Sequence, residues 1–155
     1  MKKILAVVVL LAFAFTAFAE ESPFDAGAYK EGSMNFLTGW AGASMVSGLG
    51  MTIGGNTLVR GIGIQSIAWG AIDLGIALYV KDADNVFGID LNTPKGLYDI
   101  FFINTLLDIL YMAAGAGLLI WGSEELKGHG AGILIQGGFL FVFDGINAVI
   151  LSTTF

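Results

Sequence analysis

Residues 130–151 read GAGILIQGGFLFVFDGINAVIL. The run is 22 residues long, only Gln136, Asp144 and Asn147 break its apolar character, and no basic side chain lies inside it. At ~1.5 Å rise per residue such a run covers a hydrocarbon core of ~30 Å. It therefore reads as a membrane-spanning helix carrying an acid at depth. The same signal occurs at residues 61–80, with Gln65 and Asp73, and in both stretches the Gln and the Asp are eight residues apart.

Two more apolar runs lie outside these, at residues 34–54 and at residues 100–121, the latter interrupted by Asp108. Short turns at 56–60 and 122–129 join the runs in pairs, and an Asp-rich loop at 81–96 joins the pairs. Composition agrees: 55% of the 155 residues are hydrophobic and only 13% charged, an apolar excess beyond that of soluble domains. Mean hydropathy is +0.78. The absence of cysteine excludes a disulfide framework and a thiolate metal site. A net charge of −6 argues against nucleic acid and against a polybasic lipid-binding surface. The expected fold is an all-α membrane domain over residues 34–155, a four-helix transmembrane bundle embedded in a lipid bilayer.

Residues 1–19 read as a signal peptide: Lys2 and Lys3, an apolar core over 4–16, and Ala17-Phe18-Ala19 as a cleavage site. An uncleaved anchor would give the same orientation. Residues 20–33 are then a short, loosely ordered acidic lead outside the cell. Four spans return the chain to that side, so both mature termini are extracytoplasmic. The basic residues Arg60 and Lys127 inside, against Lys30, Lys81 and Lys95 outside, support this weakly. The expected location is a bacterial inner membrane.

The chain also looks duplicated. MVSGLGMTIGG (45–55) aligns with MAAGAGLLIWG (112–122), and Gln65 and Asp73 align with Gln136 and Asp144, the offset changing from 67 to 71 residues between the two blocks. Two-span repeats of this kind are parallel, related by an axis along the membrane normal. Small residues mark candidate contact faces: Gly39, Ala43 and Ser47; Gly50 and Gly54; Ala71 and Gly75; Gly128 and Gly132. They serve packing within the bundle or formation of a homo-oligomer.

Depth singles out the candidate site. Asp73, Asp108 and Asp144 each lie ~10–12 Å below the outer boundary at helical rise, so three helices contribute acids to one layer. Asn104 precedes Asp108 by one turn, and Asn147 follows Asp144 by three residues. Gln65 and Gln136 lie ~12 Å deeper, as a second layer. An acid at the bilayer centre costs ~2.5–3.5 kcal/mol, so these side chains are expected to face the bundle interior. With no Lys or Arg in the spans, the layer is expected to hold protons or bind a cation or small polar ligand. The alternative is a structural or accessory protein whose acids only set helix packing and partner contacts.

Other signals are weak. Asp82, Asp84, Asp90 and Asn92 resemble a calcium loop, but Gly88 sits at the seventh position and no Glu at the twelfth. His129 is the only histidine, without a metal-binding companion. No catalytic residue, cofactor or metal site is expected. Outer-membrane barrels share the signal and the glycines, but their strands alternate every second residue, and these runs do not. The stretch GHGAGILIQGGFLFVFD, residues 128–144, resembles a family of uncharacterised small bacterial membrane proteins. The resemblance implies four helices and a bacterial membrane, and it carries no assigned activity or site residue.

Overall fold

The computed structural model describes residues 24–155; the signal segment read over residues 1–19 lies outside them. Four long helices follow in order: α1 (Ala26–Gly54), α2 (Thr57–Asp82), α3 (Pro94–Trp121) and α4 (Glu124–Leu151). Each begins on a side chain that accepts from an otherwise orphaned backbone N–H. Asp25 accepts from Ala28, Asn56 from Val59, Thr93 from Gly96 and Ser123 from Leu126. Pro94 opens α3 with its backbone preset for a helix, and Glu124 and Glu125 face the positive end of the α4 dipole.

These caps carry the helices past the apolar runs. The turns shrink to Gly55–Asn56 and Gly122–Ser123, and the segment expected as a loose lead is helical from Ala26. That lead is wrong as an expectation because residues 26, 30, 33 and 37 repeat at helical spacing and bury Ala26, Lys30, Ser33 and Leu37.

Between α2 and α3 a short ribbon forms from β1 (Asn85–Val86) and β2 (Ile89–Asp90), with Asn85 opposite Asp90 and Val86 opposite Ile89. Phe87 (φ 51°) and Gly88 (φ 82°) both take the left-handed region, as a two-residue hairpin turn of the primed kind requires. Leu91 is fully buried and anchors the loop. The loop carboxylates serve local bonds: Asp84 accepts from the Asn92 amide and Asp90 from the Asn92 backbone.

α1 packs on α2, α3 on α4, and α2 on α4, whereas α1 and α3 scarcely meet. Glycine permits the close approaches. A Cβ on Gly63 would stand 2.6 Å from the Gly48 carbonyl, and one on Gly130 would stand 2.6 Å from the Leu119 nitrogen, beside Gly115. The same holds at the α2–α4 crossing, where a Cβ on Gly61 would stand 2.8 Å from the Gly128 backbone.

Three of the four helices, α2, α3 and α4, are long and apolar enough to cross a membrane. α1 falls short on composition, since Lys30, Glu31, Asn35, Thr38, Ser44 and Thr52 dilute its apolar run. The outward side chains of α3 are large and apolar, among them Ile103, Leu106, Ile109 and Leu110. Such a surface suits lipid and not water.

Candidate functional site

The helix register turns one acid from each of α2, α3 and α4 inward. Asp73, Asp108 and Asp144 are 2%, 2% and 4% exposed. All three line one cavity of about 220 Å³. The carboxyls of Asp108 and Asp144 lie close together, and Asp73 lies near both. Asp73 Oδ2 and Asp108 Oδ2 are buried with no hydrogen-bond partner. Asn104, half-buried one turn from Asp108, lines the same cavity.

The cavity has an apolar back and an open side. Leu140 and Phe143 of α4 form the back wall. Phe143 meets Phe101 edge-on, with centroids 5.8 Å apart. α2 and α3 stand apart across the opening, where Ile72, Leu107 and Tyr111 are exposed. Tyr111 packs edge-to-face on Trp69 at 4.9 Å. At the hairpin end, Met34, Leu37 and Leu91 close the cavity together with Lys30.

Lys30 is the residue that sequence reasoning missed. It is buried, and its Nζ donates to the Ala83 carbonyl at 2.6 Å, tying α1 to the end of α2. A cation therefore lines the acidic cavity, although none lies within the apolar runs. The helical spacing from Ala26 to Leu37 is the signal that would have found it.

The other three candidates lie elsewhere. Asn147, 1% exposed, accepts from Tyr29 Oη at 2.8 Å and from Ser33 Oγ at 3.0 Å, and donates to the Phe143 carbonyl at 2.8 Å. It fastens α4 to α1. Gln136 accepts from Trp40 Nε1 at 3.1 Å and from Ser44 Oγ at 3.4 Å, and donates to Ser66 Oγ at 3.4 Å. Trp40 also stacks on Phe139 with centroids 3.6 Å apart. Gln65 pairs with His129, Nε2 to Nδ1 at 3.0 Å, beside the close α2–α4 crossing. The expected inner glutamine layer is thus two separate fastenings. Gln65 lies against Gly132 of α4, so Gln136 is one helical turn further along, and the two side chains take different partners across the same α2–α4 contact.

No curated protein and no solved structure matches this chain. A family model does match, over residues 36–145, a stretch that contains all three acids of the cavity together with Asn104, Gln65 and Gln136. The chain accordingly belongs to DUF6992, a family of unknown function.

Proposed function

We propose that this is a four-span integral protein of a bacterial inner membrane whose α2–α3–α4 carboxyl cluster binds a proton, a cation or a small polar ligand. One observation carries the reading. Asn147 and Gln136 use their polar atoms in bonds between helices, whereas Asp73 and Asp108, which line the cavity, each keep a buried oxygen unpartnered. An acid kept only to fasten helices has to be bonded to repay its burial. The unpartnered oxygens are left for something that enters.

Further support comes from the architecture. The two-residue turn makes α1 and α2 an antiparallel hairpin, in contact from Gly48 and Gly63 to the Lys30–Ala83 bond, so α1 crosses wherever α2 does. Gly48 and Gly115, Gly63 and Gly130, and Gly70 and Gly137 are each 67 residues apart and take equivalent places in their hairpins. This favours two parallel repeats at a constant offset of 67, not one that shifts to 71. With the signal segment cleaved, both termini and the β-ribbon lie outside. Gly39, Ala43, Ser47 and Gly50 form an outward face of α1 on which a second copy could pack.

A binding site fits better than a conducting path. Among the described residues no hydrogen bond links the acids to the Gln136–Ser66 pair, and buried Leu140 lies between Gln136 and Asp144. The test is thermal unfolding of the detergent-purified protein from pH 5 to 9, with and without Na⁺, K⁺, Mg²⁺ and Ca²⁺, for wild type and Asp108→Asn. A species bound only by the folded state raises the melting temperature by mass action. A response to pH or to one cation in wild type that is lost in the variant supports the site. Identical melting of both proteins under every condition returns the acids to a packing role.

A further inference from the structure

We infer that the cavity accepts a compact organic ammonium ion, its charged head against Asp73 and Asp108 and its apolar body directed toward the hairpin end. The inference rests on the proposed binding role of the carboxyl cluster and names the class of its ligand.

Geometry argues against a bare inorganic cation. Hard cations such as Ca²⁺ gather six or more oxygen ligands around one point. Among the described residues no three acidic or imidazole groups are placed to hold one ion together. The Asp108 and Asp144 carboxyls lie close to each other, on neighbouring helices. Asp73 and Asp108 each have a buried oxygen without a hydrogen-bond partner, and both residues line the cavity together with Asn104. Two or three acceptors spread over a wall match an –NH₃⁺ head, which brings three donors of its own.

The rest of the cavity is built for hydrocarbon. Trp69 and Tyr111 present an edge-to-face aromatic pair, and aromatic faces attract ammonium groups that have lost water. Leu140, Phe143 and Ile76 complete the walls. A volume of about 220 Å³ falls below the ~300–1,000 Å³ of pockets for drug-sized ligands, so the occupant is small. Lys30 fixes polarity and charge. It lies at the Ala83 end of α2, and Asp73 is seven residues before Val80, ~10 Å along the helix axis. A second positive charge at that end would meet the Lys30 ammonium, so a monocation fits where a long diamine does not. The gap between α2 and α3, bordered by Ile72 and Leu107, admits such a molecule from the side.

The experiment uses the full chain in detergent at pH 7. Melting is followed with n-butylammonium chloride, with n-butanol as its neutral counterpart, with hexane-1,6-diammonium, and with NaCl and KCl at matched ionic strength. At about 100-fold excess over its dissociation constant, n-butylammonium is expected to raise the melting temperature by roughly 5–10 °C. The shift should vanish in Asp73→Asn. Should that variant not fold, Asp108→Asn carries the same expectation through its own unpartnered oxygen. An equal shift with n-butanol would mean an apolar void only and overturns the inference. A shift with Na⁺ or K⁺ but not with n-butylammonium overturns it too, while leaving the proposed binding role intact. A larger shift with the diammonium overturns the assigned charge and orientation. No shift with any of these, together with no pH or metal response in the preceding test, removes both readings.

Discussion

The claim that Asn147 is a fastening and not part of the site can be tested by a double-mutant cycle. Its Oδ1 accepts two bonds from α1, from Tyr29 at 2.8 Å and Ser33 at 3.0 Å, and it is 1% exposed. A buried hydrogen bond contributes ~1 kcal/mol net, and bonds between membrane helices average ~0.6 kcal/mol, reaching ~1.7 at most. Tyr29→Phe and Ser33→Ala each remove one bond, so each is expected to cost about 0.5–1.5 kcal/mol. Asn147→Ala removes both and strands two hydroxyls, so about 2–3 kcal/mol is expected. The Tyr29–Asn147 coupling should come to about 1 kcal/mol. The assay is reversible unfolding in mixed micelles, read by circular dichroism, for wild type, both single variants and the double variant. A coupling within about 0.3 kcal/mol of zero, the ordinary error of additivity, would refute the fastening. So would loss of the pH or ligand response in Asn147→Ala, because that places the residue in the site after all.

Two other perturbations follow from the same geometry. Gly63→Leu puts a side chain into the Gly48 carbonyl and the Thr52 backbone, and is expected to cost about 1–3 kcal/mol or more by forcing α1 and α2 apart; Gly50→Leu meets nothing within 4 Å, so it should leave monomer unfolding unchanged and reduce crosslinking between copies if that face pairs. Tyr29 precedes the apolar run of α1, and burial pushes its hydroxyl from the ordinary 10.0 up to about 12. A phenol that the fold keeps neutral contributes stability that is intact below pH 10 and is lost as pH climbs toward 12. Alkaline unfolding should therefore flatten in Tyr29→Phe, and an unchanged slope between pH 10 and 12 would count against that burial.

Helix number and order were legible because each apolar run is long enough to cover a hydrocarbon core and each is punctuated by Gly-Asn, Gly-Ser or Thr-Pro. Helix ends were not, because caps such as Asn56 and Ser123 act outside the apolar run and extend the helix into polar sequence. The acids were legible as a group through depth alone: three charges at one level in three helices have few places to go except inward. Depth does not fix azimuth, however. Asn147 and Asp144 are three residues apart, roughly 60° short of a full turn at ~100° per residue. That difference sends Asp144 to the α3 side and Asn147 to α1. Lys30 escaped because its neighbours Glu31 and Ser33 lower the local hydropathy, although its helical spacing to Met34 and Leu37 is plain once α1 is extended.

The two hairpins offer an internal comparison that bears on the acids. At the 67-residue spacing of the paired glycine crossings, Asp108 corresponds to Ala41, Asp144 to Ala77 and Asp73 to Leu140. None of the three acids has an acid as its counterpart. The α1–α4 side, which corresponds to the opening between α2 and α3, is filled: Trp40 stacks on Phe139, Gln136 bonds Trp40, and Asn147 bonds Tyr29 and Ser33. The same hairpin geometry is thus compatible with a well-packed, fully bonded seam. A cavity with unpartnered carboxyl oxygens on the other side is not forced by the glycine crossings or by the turn lengths. It is a property of the residues chosen there, Asp73, Asp108 and Asp144 among aromatic neighbours. Filling it should stabilise the fold if the cavity has no occupant, because lost packing in a void is a standing cost. Asp73→Leu combined with Asp108→Ala, which returns both positions to their counterparts, is therefore expected to unfold at a higher temperature than wild type while losing every ligand and pH response. A double variant that is less stable than wild type without ligand would mean that the acids fasten the fold after all.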